Sequence, residues 1–161
     1  MSDKPLDSHR YQWDVGALSD ALAITKDEVL EYFRDGRRMS FILERRLQSD
    51  FNGTLSRENE AWDMIDSEGR KWEVRSLTES LYFCPSYMVG SGRIFNRDGF
   101  IQKLDAIHGY IVGDIKLFPE VPCWTLSSEL VRHWWESGTI PEKTSISRAR
   151  FYQLLGLRDP R

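Results

Sequence analysis

The stretch Ala61-Trp-Asp-Met-Ile-Asp-Ser-Glu-Gly-Arg-Lys-Trp-Glu-Val-Arg75 decides how the rest of the chain is read. Residues 61–66 and 71–77 have strand character, and Ser67-Glu-Gly-Arg70 between them reads as a hairpin turn around Gly69. Side chains alternate along a strand, so Lys71, Glu73 and Arg75 share one face while Trp72 and Val74 take the other. Folding back at Gly69 brings Asp63 beside Glu73. Two carboxylates with cations alongside admit two readings. One is the solvated face of an antiparallel hairpin, laced by cross-strand ion pairs. The other is a site for a hard divalent cation. Mg²⁺ prefers oxygen ligands, commonly one or two carboxylates with waters and substrate phosphates, and such a site can activate water against a phosphodiester.

Outward from the hairpin, the pattern before it is helical. Residues 1–14 read as an irregular lead-in. Asp14 to Ala23 carries Leu18, Ala21 and Leu22 at helical spacing, and Thr25-Lys-Asp-Glu28 is a capping box for a helix with Val29, Leu30 and Phe33 inward. Gly36 is expected to stop that helix, and another starts around Ser40 and ends near Asn52-Gly53. After the hairpin, residues 81–89 read as a further strand. Asn96-Arg-Asp98 leads into a helix with Phe100, Ile101, Leu104 and Ile107, followed by a buried strand over 110–115 and a short one over 122–126. Ser127 or Ser128 caps a helix through Glu136, and Ser147 caps a last one through Leu155. This order predicts an α+β or mixed α/β fold, a central mixed sheet flanked by helices, in one domain over residues 1–161.

Composition narrows the class. The 161 residues are 40% hydrophobic and 29% charged, a globular balance that argues against disorder. No long apolar run suggests a membrane span, and MSDKPLDSHR at the start has no apolar stretch of the kind a secretory signal needs, so a cytoplasmic location is expected. Cys84 and Cys123 stand alone, which excludes a disulfide-dense scaffold and a four-cysteine zinc site. His9, His108 and His133 are isolated, without zinc-ligand spacing. The net charge of −3 gives no global pull toward nucleic acid, yet residues 34–46 and 142–161 are each locally +3.

Asp63, nine residues, then Glu73-Val74-Arg75 resembles the D-x(n)-(D/E)-x-K signature of the PD-(D/E)xK nuclease superfamily, in wording similar to small PvuII-type restriction endonucleases. The resemblance covers roughly residues 41–115. It implies a restriction-endonuclease-like core and a Mg²⁺-dependent, site-specific endonuclease acting on double-stranded DNA, with no small-molecule cofactor and no membrane partner. It further implies Asp63 and Glu73 as metal ligands with the Val74 carbonyl as a third oxygen, and Glu44 or Glu60 as an accessory acid. One departure stands out: Arg75 occupies the usual lysine position. Arginine stays protonated, so it cannot act as a general base, although it can neutralise a scissile phosphate. Lys71 is the alternative source of an ammonium group.

Candidate DNA contacts are Ser76 on the site strand, Ser86, Arg93 and Arg97 in and beyond the glycine-rich segment 86–93, and Lys143 and Arg148 near the last helix. Cutting both strands of a palindrome calls for a homodimer, with the helices of residues 1–50 as its interface. Two other functions remain open. One is a DNA-binding protein without catalysis, suggested by helix-turn-helix-like spacing over residues 18–46. The other is a structure-selective nuclease, such as a junction resolvase, on the same fold.

Overall fold

The computed structural model describes residues 7–57 and 60–161. Its centre is a six-stranded mixed sheet. The strands are β1 (Asp7–Gln12), β2 (Thr54–Leu55), β3 (Met64–Ile65), β4 (Lys71–Leu77), β6 (Gly109–Asp114) and β7 (Glu120–Ser127), in the order β1-β7-β6-β4-β3-β2. β4 and β6 run parallel, and every other pair is antiparallel. A separate two-stranded ribbon joins β5 (Ser80–Tyr82) to β8 (Ser145–Ser147). Among the described residues six helices flank the strands: α1 (Val15–Leu22), α2 (Lys26–Phe33), α3 (Gly36–Asp50), α4 (Arg97–Ala106), α5 (Ser128–Glu136) and α6 (Arg148–Leu155). This is the mixed α/β class that the order of sequence patterns predicts. Among the described residues no helix is long and apolar enough to cross a membrane.

The parallel β4–β6 pair requires a crossover, which α4 supplies. Both faces of the sheet are therefore covered. On one face α3 lays Met39, Leu43 and Leu47, spaced one helical turn apart and fully buried, with Trp72, Val74, Ile111 and Cys123 in the same cluster. Burying each of those leucines contributes about 1.5–3 kcal/mol. Gly113 makes the close approach possible, because a Cβ there would stand 2.6 Å from the Leu43 Cδ2. On the other face Phe100 and Leu104 of α4, Leu130 and Trp134 of α5, and Phe151 of α6 form a cluster with Leu77, Tyr110, Val112 and Leu126. All six residues of β6 are buried.

Local signals place most boundaries. The Thr25–Glu28 capping box forms with both bonds present, and Asp14, Asn96, Ser127 and Ser147 each cap a helix through their side chains. Other expectations are corrected. Residues 7–12 form the edge strand β1 against β7, while residues 1–6 lie outside the described residues. Gly36 does not stop α2; it is the first residue of α3, whose N-cap is Asp35, accepting from the Arg37 and Arg38 amides. The strand expected over 81–89 is shorter, ending at Tyr82, and a single 3₁₀ turn follows at Ser86–Met88. The hairpin strand before Gly69 is only two residues long.

The turn itself is built as its sequence suggests. Gly69 takes a left-handed φ of 82°. Asp66 fixes the reversal by accepting from the Glu68 and Arg70 amides, the Arg70 Nε and the Trp72 indole, all at 2.8–2.9 Å. Burial pushes its carboxyl up, but the Trp72 and Arg70 bonds outweigh it and hold the pKa down at about 2. A carboxylate whose folded pKa is depressed contributes stability above its unfolded value near 3.9 and loses it as pH falls toward about 2. Wild-type protein should therefore lose roughly 2 kcal/mol through this group between pH 4 and pH 2. Urea unfolding of Asp66→Asn should show a clear deficit at pH 7 that narrows in acid; a deficit independent of pH would contradict the assignment.

Candidate metal and phosphate site

The site is assembled where β3, β4, α3 and α4 meet. Asp63 leaves the ladder just before β3: its N–H donates to the Trp72 carbonyl at 2.9 Å, and its Oδ2 accepts from the Val74 N–H at 2.8 Å. The hairpin thus sets the Asp63 carboxylate against β4 next to Glu73. Glu73 faces α4 and is only 6% exposed, so the face that carries it is interior rather than solvated. Its Oε2 accepts from the Lys103 Nζ at 2.6 Å and its Oε1 lies 3.1 Å from the Arg75 Nη2. Glu44 comes from α3, half-buried, with Asp63 and then Glu73 as its acidic electrostatic neighbours.

These carboxylates repel one another in a poorly solvated setting. Burial, then Glu73, push Asp63 up to about 6 against the opposing pull of the Val74 N–H, Arg75 and Lys103. Burial, then Asp63, push Glu44 up to about 7, with Arg45 opposing and Glu73 adding. Burial is the larger cause in both, and it outweighs the three cations, Arg45, Arg75 and Lys103, at the edge of the group.

Lys103 is the residue that sequence reading passed over. It projects from α4, is 11% exposed in its side chain, and also donates to the Ala61 carbonyl at 2.7 Å. The signal was its place between the core residues Phe100 and Leu104, where a solvated lysine is not expected. Lys71, the expected ammonium source, is instead exposed at the first residue of β4. Arg75 ties Glu73 to the Cys84 carbonyl at 2.9 Å, and its Nε is buried with no hydrogen-bond partner among the described residues. Glu60 is exposed, with its amide turned back to the Arg57 carbonyl.

Beside the carboxylates lies an open cleft of about 800 Å³. It gathers Arg75, Ser76, Ser86 and Arg93, all singled out in the sequence, and adds Arg37, Ser40 and Thr78. Ser40 donates to the Gly36 carbonyl at 2.6 Å, which leaves Ser76 to donate to Ser40 at 2.8 Å. Arg97 lies outside this cleft, paired with Glu142 at 3.0 Å and stacked over Trp135; Lys143 is exposed nearby. Arg148 is a correction. It is 4% exposed and its guanidinium is consumed by Asp114 and Asp159, with Tyr152 donating to Asp114, so it holds α6 to β6 rather than meeting a phosphate. Arg34, in the helix-turn-helix-like segment, is likewise spent on the Phe118 carbonyl.

Among the described residues no three His, Cys, Asp or Glu side chains are gathered to hold a metal ion. The donors present nonetheless suit Mg²⁺: all are oxygens, and the two carboxylates of Asp63 and Glu73 are the number that ion commonly takes. Compared with protein-family models, with curated proteins and with solved structures, the chain matches none.

Glu44 gives a direct check on this electrostatic picture. Its folded pKa lies above the unfolded value of about 4.3, so the folded state loses stability as pH rises toward and past 7. Glu44→Gln should raise the melting temperature at pH 8 by a few degrees, on the order of 1 kcal/mol, and leave it unchanged at pH 4. An equal shift at both pH values would contradict it.

Proposed function

We propose that the protein is a metal-dependent endodeoxyribonuclease of the PD-(D/E)xK kind, with a restriction-endonuclease-like core. The observation that carries this reading is the buried Glu73, held by Lys103 beside Asp63 and followed along β4 by Val74 and Arg75, which line a cleft together with Arg37 and Arg93. Buried acids and cations gathered beside a cleft with three arginines in its lining suit a polyanion.

Asp63, Glu73 and the Val74 carbonyl would hold Mg²⁺. Bound there, the ion supplies a Lewis acid for the phosphate and lowers the pKa of a bound water. The residues of the chain do the rest. The Val74 N–H aims the Asp63 carboxylate, and the β4 pleat aims Glu73. Lys103 brings the ammonium that the motif lacks at position 75, positioned to orient a water or to stabilise charge developing on the phosphate. Arg75 fastens Glu73 to the Cys84 carbonyl and stays cationic throughout. Arg37 and Arg93, with the hydroxyls of Ser76 and Ser86, track the strand on either side. We assign the surface of α1, α2 and α3, where exposed Leu22, Tyr32 and Phe41 line an apolar hollow, to a second copy of the chain.

One observation favours a second reading, a DNA-binding protein that does not cut. Both Glu73 oxygens already have cationic partners, so holding a metal requires one of those contacts to lengthen.

Long unmodified duplex DNA and a branched junction, each incubated with Mg²⁺ or EDTA, separate the readings. Wild type should give fragments only with Mg²⁺. Asp63→Asn keeps an acceptor for the Val74 N–H but removes the charge, and should cut at least a hundredfold more slowly. Cutting confined to the junction would make the enzyme structure-selective. Binding to either DNA without any cutting would support the binding-only protein.

A further inference from the structure

A second cavity, of about 600 Å³, lies between β5, the 86–96 segment and the chain entering β8. It shares Tyr82, Val89 and Arg93 with the cleft, so the two adjoin at these residues. Its size falls within the roughly 300–1,000 Å³ of small-ligand sites.

Its lining combines two chemistries. Apolar surface comes from Tyr82, Met88, Ile94 and Phe95. Ile94 is 84% exposed and Tyr82 37% exposed, so apolar surface stands open beside the cleft. The cations are Arg93, Arg97 and Lys143, all exposed. Glu142, which holds Arg97 at 3.0 Å, and Ser145 add groups able to accept and donate hydrogen bonds. Aromatic and apolar side chains suit the face of a base, and cations in the same lining suit the phosphate that the base carries. Neither an apolar peptide side chain, which brings no anion, nor a free phosphate, which brings no ring, uses both.

We infer that this cavity receives a single nucleobase turned out of a strand whose backbone lies in the adjoining cleft. The inference rests on the nuclease reading and extends it: Tyr82, at the junction of cleft and cavity, stacks on the base, and Ile94 closes over it. Extruding a base costs pairing and stacking, least at single-stranded, mismatched or damaged positions, so the cavity favours such positions over intact duplex.

The test uses fluorescence anisotropy in EDTA, with a short labelled single strand and a strand of equal length made of abasic sites. Wild type should bind the base-bearing strand roughly tenfold more tightly. Tyr82→Ala and Ile94→Ser, both at exposed positions and so expected to keep the wild-type melting temperature, should erase that difference while leaving abasic affinity unchanged. Lys143→Ala should weaken both strands alike and reduce the slope of log K against log salt by about 0.7. Equal affinity for the two strands in wild type would overturn the inference and leave the nuclease reading intact, since backbone binding would remain. A preference surviving both substitutions would overturn it in the same way. Binding of neither strand would also overturn the inference, with cleavage of duplex DNA in Mg²⁺ deciding the nuclease reading separately, and a free nucleoside monophosphate bound in their place would reassign the cavity.

Discussion

A carboxylate at Glu73, 6% exposed on a central strand, constrains everything around it. An ionised group this deep is tolerated only with partners, and its partners come from elsewhere in the chain. Lys103 reaches it from α4, and Arg75 reaches it from two residues along β4. Each cation is fastened in turn, Lys103 to the Ala61 carbonyl and Arg75 to the Cys84 carbonyl. One buried charge thereby stitches the crossover helix, the segment leading into β3 and the segment leaving β5 to a single strand. Charged sets of this kind are weak contributors to stability, since apolar residues of equal volume often serve as well or better. Stability alone therefore does not account for the charges, and the proposed metal and phosphate chemistry would.

A second ionic set answers the first from the far end of the parallel pair. Asp114, fully buried where β6 ends, is met by Arg148 and Tyr152 of α6, and Asp159 satisfies the other edge of the Arg148 guanidinium. All the strong donors and acceptors there are used within the set. At Glu44, Asp63 and Glu73 the balance differs, because burial first, with carboxylate neighbours adding, pushes two carboxyls upward in pKa. The contrast separates an ion pair held at its ordinary charges from a cluster whose acids are shifted toward neutral.

What was legible in the sequence was what local chemistry writes. Gly69 and Asp66 define a turn within five residues, Thr25 and Glu28 define a helix start, and the alternation over 71–77 puts Glu73 and Arg75 on one face whatever surrounds them. Pairings between distant segments left no such trace. β1 finds its partner β7 more than a hundred residues later, so a short run of mixed residues was read as irregular. Arg148 follows a capping serine, a position that suits phosphate, and only the fold brings Asp114 to it from 34 residues away. Lys103 lies 30 residues beyond Glu73, and nothing in the spacing joins them until β4 and β6 pair in parallel and α4 crosses over. The charged cluster is thus half visible in the sequence: the acids from their hairpin, the ammonium only from the folded chain.

The account turns on that ammonium. Its most direct test is the single-turnover rate of DNA cleavage with Mg²⁺ by Lys103→Met, which replaces the charge with a side chain of similar length, beside Arg75→Lys. The account predicts that Lys103→Met loses at least a hundredfold, about 2.7 kcal/mol of transition-state stabilisation. Arg75→Lys, which restores an ammonium where one is already present, should change the rate by less than roughly tenfold. Wild-type cleavage by Lys103→Met would contradict the account.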